Sequence, residues 1–395
     1  FSLGAEVSIT EIKDNETTAK FRQQLKSPKI KVELGRHTVE FIKASDLVVI
    51  SPGVADSSAP IVWAEEFNIP VISEIEVASI LCPAPIVAIT GTNGKTTVTT
   101  LIGNVLSAGG KPAHVCGNIG TPFTEVVQKF RESDWVSLEV SSFQLEHIRD
   151  FKPKISLLLN LSRNHLDRYN NMDDYLKAKK RIFMNQEKDD FTVFNFDDPE
   201  TLRLAKETKA KVVYFYPDKT LNPNESAVLA VSSLLGMDRE LVLSVLRDFK
   251  GVEHRLERVA QIDGINFIND SKATTVDATI WALKNTQTPV ILIAGGREKG
   301  NDYNLIKELA REKVKLAILI GEAKEKMGRS FSGIFPIEEA VSLEDAVNKA
   351  FVAGQAGDRI LFSPMCKSFD MFTDYEERGR MFKQIVSLLS KGKAR

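Results

Sequence analysis

The stretch IVAITGTNGKTTVTT, residues 86–100, decides the reading of this chain. Ile86–Thr90 has the composition of a buried strand. A glycine-bearing turn, Gly91-Thr92-Asn93-Gly94, follows, and Lys95-Thr96-Thr97 opens a threonine-rich helix. Strand, turn and helix start in that order bring backbone close to a ligand and aim free N–H groups at one point. The helix dipole favours an anion there. Lys95 adds a point charge for β- and γ-phosphates, and Thr96 a hydroxyl for Mg²⁺. The strict G-x-x-x-x-G-K pattern is not met, because Ile89 stands at the first glycine position. The expectation is ATP or GTP binding through Gly91, Thr92, Asn93, Gly94, Lys95, Thr96 and Thr97. The loop alone leaves the reaction open.

Outward from the loop, short apolar runs alternate with helical patterns, as in α/β domains with parallel sheets. Before it come EVSIT, LVVIS and PVIS. IVAIT begins a second series with WVSLEV, ISLLLNL, TVFNF and KVVYFY. INFIND, VILIAGG, LAILIG and RILFS form a third. LCPAP (81–85) and FKGVEHR (249–255) separate the series. Three domains are expected, 1–83, 84–252 and 253–395. FSLG reads as the end of a helix before the first strand. A first domain of this kind needs an earlier strand and glycine turn, so about 20–25 residues are expected to be missing from its start.

Composition narrows the function classes. The chain has 395 residues, 43% hydrophobic and 27% charged, with a net charge of −1. That balance argues against a nucleic-acid scaffold, which carries a basic excess. No apolar run approaches the ~20 residues of a membrane helix. Cys82, Cys116 and Cys366 are few and widely spaced. They suit a reducing cytoplasm and supply neither a disulfide framework nor a zinc site.

Candidate metal ligands follow the strands. Glu139 ends WVSLE, at the edge of a parallel sheet where ligands bind, and its oxygens suit Mg²⁺. His165 and Asp167, in NLSRNHLDRY, lie just past another strand and would face metal or substrate. Lys179 lies in YLKAKKRIF, which composition alone reads as a solvated basic face.

Together GTNGKTT, EVSSFQLE, NHLDRY with YLKAK, HRLE, NDSKAT and SPMCKSFDMFTDYEERG resemble the Mur ligase family, ATP-dependent amide ligases of peptidoglycan synthesis, over essentially the whole chain. SSFQLE and the last motif are most similar to the member that adds D-glutamate to UDP-N-acetylmuramoyl-L-alanine. The resemblance implies a Rossmann-like N-terminal domain truncated at its start, a central P-loop ATPase-type parallel-sheet domain, and a C-terminal Rossmann-like α/β domain. These would hold the UDP group, ATP and the incoming amino acid, respectively. It implies that Lys95 and Thr96 grip ATP, that Glu139 and His165 bind magnesium, and that Lys179 is carbamylated, turning a cation into the carboxylate that Mg²⁺ prefers. Asn118, Ser141, Gln144 and His165 would contact the UDP-muramoyl-alanine, with Ser51, Pro52, Gly53 and Glu11 remaining from the UDP site. Arg255 and Asp270 would hold ATP. Lys272, Thr274, Lys299, Ser368, Phe369 and Tyr375 would hold D-glutamate. Asn164, Thr275, Met365 and Lys367 depart from the family's pattern.

The reaction implied is phosphorylation of a carboxylate to an acyl phosphate, then attack by the amine of D-glutamate. Lys95 and magnesium would neutralise the anions that must meet. A hinge near 249–255, a monomeric state and a cytoplasmic place are expected, with no nucleic-acid partner and no membrane insertion. Two alternatives stand: a Mur-type ligase for another amino acid, and a P-loop nucleotide switch without ligation.

Overall fold

The computed structural model describes residues 3–25, 27–162, 169, 171–217, 220–298 and 300–392. The chain forms two compact units, Phe1–Phe249 and Lys250–Arg395. The architecture is α/β throughout.

The first unit opens with two small parallel pairs. β1 (Ser8–Glu11) joins β2 (Lys31–Leu34), and β3 (Val48–Ile50) joins β4 (Val71–Ser73). A larger sheet follows: β5 (Ile86–Thr90), β6 (Ala113–Gly117), β7 (Trp135–Glu139), β8 (Ile155–Leu158), β9 (Phe191–Asn195) and β10 (Lys211–Phe215). Its strand order is β10-β9-β8-β5-β7-β6, with every pair parallel. β5 lies inside this sheet and is buried along its whole length. Ile86 and Ala88 join one apolar cluster, Val87 and Ile89 another, so alternate residues feed the two faces. A strand covered by helices on both faces must be apolar at every position, which is why IVAIT shows no alternation.

A seam of carboxylates ties the first 83 residues to this sheet. Glu76, buried in the helix Glu74–Leu81, accepts the N–H groups of Arg149, Asp150 and Phe151 at 2.9, 2.7 and 3.0 Å. The Ser73 N–H donates to the His147 carbonyl at 2.9 Å, and Asp56 meets the His147 ring at 2.8 Å.

The second unit contains β11 (Glu257–Ile262), β12 (Ile265–Asn269), β13 (Val290–Gly295), β14 (Val314–Ile320), β15 (Ile337–Glu339) and β16 (Arg359–Phe362). The order is β11-β12-β16-β13-β14-β15, parallel except for the β11–β12 hairpin. β13 repeats the β5 pattern: Val290, Leu292 and Ala294 face one cluster, Ile291 and Ile293 the other. The helix Tyr375–Gly392 covers the second face with Phe382, Ile385 and Val386.

Every run expected to be a strand contains one. β2, β6, β11 and β15 are additional. Leu3 and Gly4 form a turn and bend, not the helix end expected of FSLG.

Candidate active site

The helix Lys95–Ala108 begins at Gly94, whose φ is +83° and which offers no side-chain cap. Elsewhere Asn171, Asn222, Asp238, Thr275 and Ser342 each accept a first-turn N–H of the helix they start. A side-chain cap stabilises a helix by about 1 kcal/mol, so a glycine without one costs stability and leaves no side chain between the helix start and an anion. Gly91 and Gly94 are required by their surroundings as well as by conformation. A Cβ at Gly91 would lie 3.0 Å from the Leu159 Cβ, and one at Gly94 would lie 2.2 Å from the Asn224 Oδ1.

The loop is clamped from below. Asn160, just past β8, receives the Asn93 N–H on Oδ1 at 2.8 Å and donates from Nδ2 to the Asn93 carbonyl at 3.0 Å. Thr92 Oγ1 accepts the Ser162 N–H at 3.0 Å and meets the Tyr175 hydroxyl at 3.2 Å. Asn160, Tyr175 and Asn224 were not among the residues singled out in the sequence. Asn160 alone gave a signal there, as the polar residue ending the run LLLN.

Two lysines converge on one carbonyl. Lys95 Nζ donates to the Gly91 and Thr92 carbonyls, each at 3.0 Å. Lys179 Nζ donates to the same Gly91 carbonyl at 2.9 Å and to Thr90 Oγ1 at 3.2 Å. Lys179 is 1% exposed, and its ammonium lies 4.8 Å from the Tyr175 ring centroid. The solvated face expected from composition is therefore absent at this residue. The helix Met172–Lys180 buries Tyr175, Leu176, Ala178 and Lys179, while Lys177 and Lys180 pair with Asp174 and Glu207. Burial, aided by repulsion from Lys95 and opposed by Glu139, pushes the Lys179 amine well below its ordinary range. Removing an unpaired ammonium from water costs several kcal/mol, and releasing its proton avoids that cost.

Glu139 ends β7 beside Ile89 of β5 and is buried. Its Oε1 accepts Asn118 Nδ2 at 2.8 Å, while Oε2 is buried with no hydrogen-bond partner among the described residues. A carboxylate oxygen left bare in the interior is a ready ligand for a hard cation. Thr96 is buried at the helix start and Thr97 half-buried beside it. The buried Glu139 oxygen fits a hard cation such as magnesium. His165 and Asp167 lie outside the described residues.

Further along the same unit, Ser141 and Gln144 form a capping box, with Gln144 Oε1 accepting the Ser141 N–H at 2.9 Å. Gln144 Nε2 reaches Glu74 at 2.7 Å. Ser51 and Gly53 are exposed just past β3, and Glu11 Oε1 accepts the Lys13 N–H at 2.9 Å.

In the second unit the Arg255 guanidinium lies over the Trp281 ring at 5.3 Å. Asp270 accepts the Leu256 N–H at 3.2 Å and the Ser363 hydroxyl at 2.7 Å, and burial raises it to about 7. Lys272 Nζ is 5.9 Å from the Tyr375 ring. The Thr274 N–H donates to the Lys272 carbonyl at 2.9 Å. Ser368 is buried and Phe369 is exposed. Lys299 lies outside the described residues.

A family model described as the Mur ligase middle domain matches residues 89–233, and one described as the Mur ligase, glutamate ligase domain matches 254–366. The chain is 40% identical over 428 residues to a UDP-N-acetylmuramoylalanine--D-glutamate ligase of Geotalea daltonii, covering 100% of this chain and 94% of that relative. It is 42% identical over 389 residues to one of Caldicellulosiruptor bescii, covering 89% and 85%. In fold it is similar to UDP-N-acetylmuramate-alanine ligase MurC from Thermotoga maritima, with a TM-score of 0.60 at 20% identity over 98% of this chain and 94% of that one. E. coli FolC in complex with ADP gives 0.61 at 14% identity over 85% and 99%.

Proposed function

The chain belongs to the Mur ligase family, and on that premise we infer that it is the ATP-dependent ligase that joins D-glutamate to UDP-N-acetylmuramoyl-L-alanine in peptidoglycan synthesis. The observation that carries the chemistry is the meeting of Lys95 and Lys179 at the Gly91 carbonyl, beneath an uncapped helix start. The similarity along nearly the whole chain carries the choice of substrates.

A carboxylate is a poor acyl donor because its oxygen leaves poorly. The alanyl carboxylate attacks the γ-phosphorus of ATP, giving an acyl phosphate and ADP. Both reactants are anions, and Lys95 with the positive end of its helix dipole offsets that charge. The D-glutamate amine then attacks the acyl carbon, a tetrahedral intermediate forms, and inorganic phosphate leaves. The amine's proton passes to a base, for which His165 is proposed.

Thr96, Glu139, His165 and carbamylated Lys179 are proposed to hold magnesium, which when bound supplies further neutralisation of the phosphate oxygens. Carbamylation begins with a neutral amine. The Lys179 nitrogen attacks CO₂, an N–C bond forms, and a proton is released. Burial, aided by Lys95, favours that neutral amine, and the positive charge of Lys95 would favour the anion it becomes.

Residues 1–83, 84–252 and 253–395 are proposed as domains for the UDP-sugar, ATP and the amino acid. Ser51, Gly53, Asn118, Ser141 and Gln144 are proposed for the UDP-sugar peptide, Arg255 and Asp270 for ATP, and Lys272, Thr274, Lys299, Ser368, Phe369 and Tyr375 for D-glutamate. A monomer in the cytoplasm is proposed, and the three free thiols suit a reducing place. No helix among the described residues is long and apolar enough to cross a membrane.

The test is amino-acid selectivity. With ATP and UDP-N-acetylmuramoyl-L-alanine present, phosphate release is measured with D-glutamate, L-lysine or meso-diaminopimelate. Release with D-glutamate alone is expected. Release with L-lysine and not D-glutamate would overturn the assignment.

A further inference from the structure

The largest fully buried side chain of the second unit is a cation with no role in the chemistry above. Arg378, in the first turns of the helix Tyr375–Gly392, is 0% exposed. Its Nε donates to Ser271 Oγ at 3.0 Å, Nη2 to the Ser271 carbonyl at 2.8 Å, and Nη1 to the Cys366 carbonyl at 3.1 Å. The guanidinium lies 5.8 Å from the Phe362 ring centroid. All three acceptors are uncharged, and no ion pair joins Arg378 to a carboxylate among the described residues. Asp370 acts on it only at longer range.

Those acceptors sit on the loops that matter for the amino acid. Ser271 precedes Lys272 and donates its own hydroxyl to the Tyr375 carbonyl at 2.8 Å. Cys366 is two residues before Ser368. A third loop closes the ring: a Cβ at Gly296 would lie 3.2 Å from Arg378 Nη1 and 2.5 Å from the Lys367 carbonyl. Gly296 has a φ of +136°, and its backbone runs directly against the guanidinium. The loops at 271–274, 295–297 and 365–369 therefore converge on one planar cation.

Burying a guanidinium whose hydrogen-bond partners are all neutral is costly, since several kcal/mol of hydration are lost and Asp370 answers the charge only from longer range. An apolar residue of similar volume would fill the space more cheaply. The burial lowers Arg378 only to about 10, so the charge persists at neutral pH. What the arginine supplies that an apolar residue cannot is a rigid fork that sets three loops at once and a fixed positive charge behind them.

We propose that Arg378 is the positioning residue of the amino-acid site, holding the three loops in register and favouring an acidic acceptor through its permanent charge. The inference rests on the assignment of D-glutamate to these loops.

The test uses Arg378→Met and Arg378→Lys in the full-length enzyme, with two nucleophiles. D-Glutamate reports the amino-acid site. Hydroxylamine, small and uncharged, intercepts the acyl phosphate as a hydroxamate and needs no such site. For Arg378→Met, the half-saturating D-glutamate concentration is expected to rise at least 30-fold, while hydroxamate formation dependent on ATP and the UDP-sugar stays within 2-fold of the parent. For Arg378→Lys, which keeps the charge and loses the fork, a rise of 5- to 10-fold is expected. Hydroxamate falling in parallel with glutamate ligation would mark a purely structural residue and overturn the proposal. An unchanged half-saturation in Arg378→Met would do the same. If Arg378→Met does not fold, Arg378→Lys decides, and parental half-saturation there refutes the fork. Absence of any hydroxamate from the parent enzyme would instead refute the acyl-phosphate reading.

Discussion

Lys179 and Arg378 are both fully buried cations bonded to neutral oxygens, one in each unit, and they resolve the same difficulty in opposite ways. Lys179 can surrender its proton, and burial beside Lys95 drives it to do so. Arg378 cannot in any useful range, so its charge stays. A lysine in such a place becomes a nucleophile that chemistry can change into a carboxylate. An arginine becomes a permanent feature of the field. Burial alone does not say what a cation is for; the acidity of the side chain decides.

The largest expected effect tests the neighbour that makes Lys179 unusual. Lys95→Ala is expected to lower turnover at least 10³-fold, consistent with losing the main charge on the transferred phosphate. Steady-state phosphate release checks this, and turnover within tenfold of the parent would remove Lys95 from the phosphate. Next, Lys179→Ala is expected to cost about 10²-fold, with partial recovery on adding formate or acetate as a substitute carboxylate. Full activity without any additive would remove the carbamate and leave Lys179 a structural counterpart of Arg378. Asn160→Ala loosens the turn whose carbonyl both lysines share, and a rise in the KM for ATP of about 5- to 10-fold is expected with kcat little changed, the loss of one or two hydrogen bonds. An unaltered KM would mean that the clamp does not set the loop.

A last effect, on stability and not on turnover, concerns a buried acid. Asp270 has its folded pKa raised to about 7 from the usual 3.8. The fold therefore favours the protonated form. That stabilisation is fully present below about pH 4 and is lost as pH rises through 7. Asp270→Asn should flatten the decline. The stability difference between parent and variant should change by on the order of 2–4 kcal/mol between pH 4 and pH 8, read by urea unfolding. Parallel pH profiles would show that Asp270 ionises as freely in the fold as in water.

Much of this was legible in the sequence where one physical demand fixed the residue types. IVAIT and VILIAGG had to be strands buried on two faces, and GTNGKTT left little choice about the turn. β2 escaped because KVEL is only four residues long, two of them charged, and is held by its pairing with β1. β15 is three residues with two glutamates, held by β14. Lys179 looked solvated because its helix carries three lysines in its last turn. Only the position of the sheet beneath decides which of them is buried. Arg378 sits within EERGR, where nothing local separates its guanidinium in the core from that of exposed Arg380. Tertiary placement supplied what local pattern could not.

The Gly91 carbonyl has two lone pairs and two lysine Nζ donors already upon it. It is a saturated acceptor, and this links two events several bonds apart. Conversion of Lys179 to an anion removes one donor and places a negative neighbour beside Lys95. Withdrawal of Lys95 toward phosphate would remove the other, and with it the repulsion that adds to burial in favouring the uncharged Lys179 amine. By reciprocity, whatever the first event does to the free energy of the second, the second does to the first. If Lys179 takes up CO₂ as proposed, nucleotide affinity and CO₂ uptake would form one coupled equilibrium, and the tension of dissolved CO₂ would become a variable of the nucleotide site.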